Sequence, residues 1–395
     1  MSIVFSHAVN SMNTEEIDDI LKLTQRPDII SFAGGLPAAE VFPVEEVAHA
    51  TEVMLKESSV QALQYSSTQG FPKLREQIAA RLNEKFCTKL TADNLLITSG
   101  SQQALDFAAR IFINPGDVIL CESPTYMAAL SAFSPYAPKI IGVPTDEQGM
   151  IPEELEKILT ATQNVKFIYV IPDFQNPTGR TWSVERRHAL VDLSAKYNIP
   201  IVEDNPYGEL RFEGTLPPSL KSLDKAGLVI FVGTFSKIFC PGMRIAWVAA
   251  DPAIIAKFAT VKQAADLHSS SFCQLQVAKY LELYDIEKHI KKIIALYGSR
   301  RDIMLKTMAE TFPQNVTFTR PEGGLFTWVT LPKQMDSKDL LQDCLENKVA
   351  FVPGHIFFPD QNERNHFRLN YSGMPPEKIK EGIERLASII KKHNK

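Results

Sequence analysis

The sequence predicts an α/β protein with a large domain, in which a mostly parallel sheet lies between helices, and a smaller α+β domain. Three observations support this prediction. Short apolar runs alternate with helical stretches from residue 95 to residue 250, as in sheets whose parallel strands are connected by helices. The runs are apolar at nearly every position, which is typical of strands covered on both faces. After residue 284, short strands are expected among longer helices.

Residues 1–45 are predicted to form an N-terminal arm and helix. A short acidic helix is expected over Thr14–Leu23. A Gly-Gly-Leu-Pro segment, Gly34–Pro37, follows it. We expect both segments to pack with the smaller domain rather than with the sheet.

Residues 46–284 are predicted to form the large domain. Its strands are expected at Leu95–Thr98, Val118–Cys121, Phe167–Ile171, Ile199–Glu203, Leu228–Val232 and Ile245–Ala249. Helices are expected to begin near Ser101 and near Tyr126, and another to run from Ser183 to Tyr197.

Residues 285–395 are predicted to form the smaller α+β domain. A long helix is expected over Ile286–Glu310 and a final helix over Pro376–Lys392. Between them, strands are expected over Val316–Phe318 and Phe326–Leu331 and near Ala350 and Phe367, with a helix over Ser337–Glu346.

Composition narrows the class of protein. The chain has 395 residues, of which 45% are hydrophobic and 22% charged, and a net charge of −4. This length suits two domains, and the charge gives no basic stripe for nucleic acid. No apolar run approaches the roughly 18 residues of a membrane span, and the N-terminus does not resemble a signal peptide. We therefore expect a cytoplasmic protein that binds neither nucleic acid nor membranes.

The cysteines and histidines show no spacing typical of a metal site. The five cysteines are scattered and form no C-x-x-C pair, and the eight histidines form no H-E-x-x-H motif. We expect reduced thiols and no dedicated metal site.

Polar residues follow the predicted strands at the places where the strands end. Asp173–Gly179, Glu203–Gly208 and Gly233–Lys237 each come after an apolar run, and Ser99–Gln103 forms a small-residue turn that opens a helix. Ligands of open α/β sheets bind beyond the carboxyl ends of the strands, and a helix N-terminus favours an anion. The sequence therefore predicts a site that combines an amine, a carboxylate, an amide, a phenol and an anion cradle.

Lys237 is the predicted reactive group of this site. A lysine amine has a reference pKa of roughly 10.4 and becomes a nucleophile when burial or a cationic neighbour disfavours its charge. Lys237 follows a predicted buried strand, and Arg244 lies seven residues further on. This arrangement suits a cofactor that carries both a carbonyl and a phosphate, as pyridoxal 5'-phosphate (PLP) does.

Four motifs together resemble the signature set of class I/II aminotransferases, which are PLP-dependent enzymes of fold type I. They are Asn176-Pro177-x-Gly179, Asp204-x-x-Tyr207, Ser236-Lys237 with Arg244, and Phe367-Arg368-Leu369. The resemblance covers essentially the whole chain. The segments Leu21–Pro27, Ser31–Pro37 and Gly100–Asp106 are most similar to the subgroup that contains 2-aminoadipate, kynurenine and aromatic aminotransferases.

The resemblance implies a role for each site residue. Lys237 would hold the cofactor covalently and move a proton, Asp204 would pair with the pyridine nitrogen, and Arg368 would bind the substrate α-carboxylate. Asn176 and Tyr207 would hydrogen-bond the ring's phenolic oxygen, and Tyr126 would stack on the ring. The phosphate would be held by Ser101, Gln102, Thr234, Ser236 and Arg244. Asn176 and Gly35 would also contact the substrate. Tyr65 would reach the phosphate of the neighbouring subunit, which implies a homodimer with shared active sites.

The amino donor and the reaction class are less closely defined. The resemblance implies transfer to 2-oxoglutarate from an aromatic or large apolar amino acid, and 2-aminoadipate and kynurenine remain open. In 2-aminoadipate aminotransferases an arginine on the N-terminal helix can reach the distal carboxylate, but the corresponding residue here is Asp18, which disfavours that donor. Arg26 is an alternative cation.

Two other functions remain as alternatives at this point. A lyase or decarboxylase of the same fold would use the same lysine. An effector-sensing domain of a transcription regulator would be preceded by a winged helix. Here the aminotransferase-like region begins within the first twenty or so residues, and the net charge is unfavourable for DNA.

Overall fold

The computed structural model describes residues 3–10, 12, 22 and 26–394. The acidic helix expected over Thr14–Leu23, including Asp18, lies almost entirely outside the described residues. Within the described ranges no helix is both long and apolar enough to cross a membrane.

The strands of the described residues form an eight-stranded central sheet, a four-stranded sheet and one two-stranded pair. They are β1 Ile30–Ser31, β2 Leu95–Thr98, β3 Val118–Ser123, β4 Lys139–Asp146, β5 Gly149–Met150, β6 Val165–Val170, β7 Ile201–Asp204, β8 Val229–Thr234, β9 Ala246–Ala249, β10 Thr317–Phe318, β11 Phe326–Thr330, β12 Val349–Ala350, β13 Val352–Pro353 and β14 His366–Asn370.

The helices in the described residues are α1 His7–Asn10, α2 Val44–Leu63, α3 Pro72–Phe86, α4 Ser101–Phe112, α5 Met127–Phe133, α6 Pro152–Ala161, α7 Val184–Tyr197, α8 Leu220–Leu223, α9 Pro252–Ala265, α10 Ser271–Leu283, α11 Ile286–Thr311, α12 Ser337–Glu346 and α13 Pro376–His393.

The central sheet has eight strands in the order β2-β9-β8-β7-β6-β3-β4-β5. The five strands from β8 to β4 are parallel, whereas β9 runs antiparallel to both β2 and β8, and β5 runs antiparallel to β4. Every residue of β2, β7, β8 and β9 is buried, because helices cover both faces. The prediction of a large, mostly parallel sheet is therefore confirmed.

The C-terminal region has its own antiparallel sheet, in the order β10-β11-β14-β13. In its register Trp328 of β11 lies opposite Arg368 of β14. Helix α13 buries Ile379, Ile383 and Leu386, which share one face of the helix at the spacing of an amphipathic helix.

The segment after residue 26 pairs with the C-terminal region. Ile30 of β1 lies opposite Val349 of β12 in a parallel pair, and Phe32 accepts a hydrogen bond from the backbone of Asn370 at 2.9 Å. This pairing carries residues 33–37 to the carboxyl edge of the large sheet. The domain boundaries 1–45, 46–284 and 285–395 stay predictions.

Candidate active site

A cavity of about 440 Å³ opens at the carboxyl ends of β6, β7 and β8, beside the first turn of α4. The predicted site residues that line it are Gly35, Ser101, Gln102, Tyr126, Asn176, Asp204, Tyr207, Thr234, Ser236, Lys237, Arg244 and Arg368. Residues separated by more than 330 positions in the sequence thus face one another. Tyr65 is the one predicted site residue that does not line the cavity.

Lys237 lies three residues beyond the end of β8 and is partly buried. Its Nζ donates a hydrogen bond to the carbonyl oxygen of Gly35 at 2.8 Å. Burial lowers the pKa of Lys237 to about 8, and the positive charges of Arg368 and Arg244 contribute to the shift. A substantial fraction of the amine is therefore neutral, and so nucleophilic, near pH 7 to 8.

Asp204 is the last residue of β7 and is buried. Its Oδ2 accepts a hydrogen bond from the hydroxyl of Tyr169 at 2.9 Å, whereas its Oδ1 is buried with no partner among the described residues. Burial raises the pKa of Asp204 to about 7, and the Tyr169 hydrogen bond opposes this shift. An unpaired buried carboxylate oxygen is costly, so this atom suits a protonated group of a ligand.

Arg368 of β14 is buried against two aromatic rings. Its guanidinium carbon lies 4.1 Å from the ring centroid of Phe326 and 5.1 Å from that of Phe357. Nη1 donates to Oδ1 of Asn176 at 2.7 Å and Nη2 donates to the carbonyl oxygen of Ala33 at 2.8 Å, but Nε is buried and has no partner within the described ranges. Burial lowers its pKa to about 10.

Arg368 forms no ion pair with a carboxylate in the part of the chain that the structure describes. A buried guanidinium of this kind is suited to a carboxylate supplied by a ligand, which it can bind through two parallel hydrogen bonds.

Tyr207 and Tyr126 are phenols that line the same cavity. Burial raises the pKa of Tyr207, and a hydrogen bond with the side chain of Asn176 opposes the shift. Burial and then the charge of Asp204 raise the pKa of Tyr126, which directly precedes α5. Both hydroxyls therefore stay protonated at neutral pH and can donate hydrogen bonds.

An anion cradle lies at the N-terminus of α4. Gly100, with a φ of 86°, precedes Ser101, and a Cβ atom added to Gly100 would lie 1.9 Å from Nη2 of Arg244. The guanidinium therefore packs directly on the turn. Nearby, the Thr234 hydroxyl donates to Oγ of Ser236 at 2.9 Å. A helix N-terminus, an arginine and hydroxyl groups together suit a phosphate.

Tyr65 lies apart from this cavity within its own chain. Tyr65 is 80% exposed. Its ring packs edge-to-face with the ring of His268, and the two ring centroids are 5.8 Å apart. Arg26, the alternative cation for a distal carboxylate, is exposed, pairs with Asp28 at 3.1 Å and does not line the cavity.

Three residues of the site were not predicted from the sequence. Tyr169 lies within a predicted apolar strand. Its hydroxyl, a polar group in an apolar run, was the one feature of the sequence that indicated a buried hydrogen-bond partner. Phe326 and Phe357 flank Arg368, but nothing in their local sequence distinguishes them from core residues. Among the described residues, no group of three or more acidic, histidine or cysteine side chains could hold a metal ion.

The sequence matches the family model for aminotransferase class I and II over residues 27–386. The chain therefore belongs to the class I and II aminotransferases. It is 46% identical to aromatic-amino-acid aminotransferase 1 of Thermococcus litoralis, over 99% of this chain and 95% of the relative.

Two crystal structures show the same fold. Kynurenine aminotransferase of Pyrococcus horikoshii has a TM-score of 0.96 at 43% identity, covering 99% of this chain and 98% of that one. An α-aminoadipate aminotransferase of Thermus thermophilus, in complex with N-(5'-phosphopyridoxyl)-L-leucine, has a TM-score of 0.91 at 36% identity, covering 98% and 97%.

The chain is thus an amino-acid aminotransferase of fold type I that depends on PLP. The predictions of this fold, reaction and cofactor are confirmed. The cavity fits the cofactor in three respects. It has a partly buried amine with a lowered pKa, an Asp204 oxygen that lacks a partner among the described residues and suits a protonated ring nitrogen, and a cradle at Gly100 that a side chain would fill.

Proposed function

We propose that this enzyme transfers the amino group of aromatic or large apolar amino acids to 2-oxoglutarate, as a homodimer with shared active sites. The observation that carries the proposal is the lining of the cavity. Beyond the residues directed at the cofactor, the described lining is mainly apolar and includes Leu36, Pro37, Met127, Ala128 and Phe326. The cationic side chains of the described lining are Lys237, Arg244 and Arg368.

Lys237 is the proposed proton carrier. Bound PLP acts as the electron sink that stabilises negative charge at the substrate Cα. Nζ of Lys237 takes the proton from the substrate Cα in the first half-reaction. In the second half-reaction it returns a proton to the Cα of the product amino acid. Its pKa of about 8 supports this role, because the neutral amine that accepts a proton is readily available and the protonated amine remains a usable acid.

Asp204 and the pair Asn176 and Tyr207 are proposed to orient the ring. The free Oδ1 of Asp204 would accept a hydrogen bond from the ring N–H and hold that proton in place. Asn176 and Tyr207 would donate to the phenolic oxygen and so favour its ionised form. Tyr126 is proposed to stack on the ring.

The phosphate is proposed to lie at the N-terminus of α4. Its ligands would be Ser101, Gln102, Thr234, Ser236 and Arg244. The closeness of Arg244 to Gly100 supports this proposal, because it places a cation beside the free backbone N–H groups of the helix.

Arg368 is proposed to bind the α-carboxylate of both substrates, with Asn176 and Gly35 beside it. The side chain of the donor would then extend along Leu36, which lines the cavity and is 59% exposed. A cavity that is open at Leu36 accepts rings and branched chains, and it leaves the distal carboxylate of 2-oxoglutarate hydrated. The names of the relatives agree with aromatic donors, and the leucine adduct of the Thermus structure agrees with apolar ones.

The homodimer is proposed from the exposed surface around Tyr65. Val60 and Leu63, near the end of α2, are 79% and 73% exposed, and Tyr65 follows them. Large apolar side chains grouped in this way are typical of an interface between subunits. Tyr65 would contact the phosphate in the partner's site. A cytoplasmic location is proposed because the five cysteines are all unpaired.

A donor panel tests the proposed specificity. The purified enzyme should be assayed with 2-oxoglutarate and phenylalanine, leucine, kynurenine, 2-aminoadipate or norleucine. Norleucine has the chain length of 2-aminoadipate without its distal carboxylate, so the pair isolates the effect of that charge. We expect kcat/KM for norleucine and phenylalanine to exceed that for 2-aminoadipate by at least about tenfold, because their apolar side chains gain contact with Leu36 and Pro37, whereas a hydrated carboxylate at this opening gains none. A clear preference for 2-aminoadipate would contradict the proposal.

A further inference from the structure

Lys262 of α9 is a buried lysine that does not line the cavity. Its side chain is 0% exposed, whereas its partner Asp266 is 28% exposed. Nζ lies 3.0 Å from both carboxylate oxygens of Asp266, 3.0 Å from Oε1 of Gln103 and 2.9 Å from Oγ of Ser269. A buried ammonium is tolerated when its donors are satisfied, and here each has an acceptor.

On one side, this cluster fixes the turn that precedes the anion cradle. Oε1 of Gln103, which accepts from Lys262, also accepts from the backbone N–H of Ser99 at 2.9 Å. The hydroxyl of Ser99 donates to Asp266 at 3.2 Å, and the Gln103 amide donates to the same carboxylate at 2.8 Å. Ser99 is two residues before Ser101, so the position of the cradle depends on these contacts.

On the other side, the cluster reaches the turn that carries Tyr65. The carbonyl oxygen of Ser269 accepts from Nδ1 of His268 at 2.8 Å. Nε2 of His268 accepts from the backbone N–H of Ser66 at 3.2 Å, and the His268 ring packs edge-on against Tyr65. The backbone donor at Ser66 defines Nε2 as the acceptor, which leaves Nδ1 as the donor.

We propose that Lys262 is a positioning residue for the cofactor phosphate, which fixes the cradle of its own subunit and also the Tyr65 turn that serves the partner's site. The inference rests on the proposed roles of Ser101, Gln102 and Tyr65. One buried ammonium then sets the geometry of two phosphate sites, because Gln103 and Ser269 accept hydrogen bonds from the same Nζ.

The test compares PLP with pyridoxal, which lacks the phosphate. Lys262→Met keeps the volume of the side chain and removes its donors. Kd for each compound is measured by absorbance on the full-length protein after removal of its cofactor. We expect the substitution to weaken PLP binding by about tenfold, the effect of one hydrogen bond to a charged group, and to leave pyridoxal binding almost unchanged. Lys257→Met, at an exposed position of the same helix, is the matched control and should change neither.

Three comparisons separate the possible results. Equal weakening of PLP and pyridoxal would make Lys262 a structural residue only and overturn the inference. Arg244→Gln should lower the preference for PLP over pyridoxal, and if it does not, the proposed phosphate site itself is wrong. If Lys262→Met does not fold, Asp266→Asn, which removes the charge that holds the ammonium, must show the same selective loss.

Mixed dimers test the effect on the partner. Each dimer has two sites, and one chain carries Lys237→Ala, which inactivates the site of that chain. The remaining competent site combines Lys237 of the intact chain with Tyr65 of the substituted chain. His268→Ala in the Lys237→Ala chain should weaken PLP binding at the competent site, whereas His268→Ala in the intact chain should affect it much less. Equal effects from both placements would overturn the part of the inference that concerns the partner.

Discussion

Nη1 of Arg368 donates a hydrogen bond to Oδ1 of Asn176 at 2.7 Å. This contact fixes the orientation of the Asn176 amide, because its oxygen is engaged and its nitrogen is left as the donor toward the Tyr207 hydroxyl. The guanidinium that is proposed to bind the substrate thus also orients an amide that is proposed to bind the cofactor ring. The two binding functions are coupled through one hydrogen bond between residues 192 positions apart.

Arg368→Lys should weaken substrate binding and spare cofactor binding. Lysine keeps the charge but cannot contact Asn176, Ala33 and a carboxylate at once. We expect KM for both the amino acid and the 2-oxo acid to rise by at least about tenfold, the loss of one charged hydrogen bond. Steady-state kinetics and a PLP titration measure the two effects. Arg320→Lys, at an exposed arginine, is the control, and a loss of PLP affinity in Arg368→Lys would show that the residue serves the cofactor instead.

Asp204→Asn should stabilise the cofactor-free protein at pH 8. Folding raises the pKa of Asp204 from 3.8 to about 7, so the ionised carboxylate costs stability above pH 4, and the cost is largest above pH 7. This rise in the pKa corresponds to a destabilisation of about 4 kcal/mol. The variant regains only part of it, because the substituted amide accepts a weaker hydrogen bond from Tyr169 than the carboxylate does. The thermal midpoint of the variant should exceed that of the wild type at pH 8 and approach it at pH 5.

In the PLP-loaded enzyme the order of stability should reverse, because Asp204 then pairs with the ring nitrogen. Turnover of Asp204→Asn should fall by orders of magnitude. A variant that turns over normally, or whose gain in stability over the cofactor-free wild type is no larger at pH 8 than at pH 5, would contradict the role of Asp204.

Gly100→Ala should weaken PLP binding through Arg244. The added Cβ would overlap Nη2 of Arg244, which must move away from the cradle. Gly116→Ala is a close control, since Gly116 has a φ of 88° and open space around the position of a Cβ. Both substitutions carry about 1 kcal/mol of backbone strain, but Gly100→Ala alone should raise the Kd for PLP. Similar Kd values for the two variants would mean that Arg244 does not contact the phosphate.

Lys237 should react as an amine with a pKa of about 8 in the cofactor-free protein. Trace labelling with acetic anhydride from pH 6 to pH 11, read by mass spectrometry of the peptides, measures its titration. Below pH 8 the reactivity should rise by about tenfold per pH unit and then level off. The exposed Lys257 is an internal reference for the reagent. Arg368→Met should move the midpoint upward, because it removes a positive charge that disfavours the ammonium, and an unchanged midpoint would exclude that cause.

The sequence predicted the central strands because they are buried on both faces. Such strands are apolar at every position, and the strand predicted at Leu95–Thr98 has these bounds in the structure. It did not predict β4, Lys139–Asp146, where Gly142 and Pro144 interrupt the run and most residues are only partly buried. Strands at the margin of a sheet carry a weaker apolar signal, because one side contacts solvent.

In the large domain the sequence also predicted which polar groups meet at the cavity, because most of them stand at or just after the end of a strand and parallel strands end at one edge. Arg368 and Gly35 were predicted from the family resemblance alone. The sequence could not predict the contacts made by residues within strands and in the C-terminal region. Tyr169 contacts Asp204 from the neighbouring strand, and Phe357 covers Arg368 from a separate turn. Such contacts depend on register and packing, which local sequence does not specify.

The pairing of β1 with β12 has a consequence for how the enzyme is made. Ile30 leaves the ribosome some three hundred residues before its partner Val349 is synthesised. Until then Gly35 and Ala33 cannot take their places beside Lys237 and Arg368. The nascent protein therefore completes its catalytic pocket only after the strand that carries Arg368 has been made, and contacts between such distant segments make this step of folding slow.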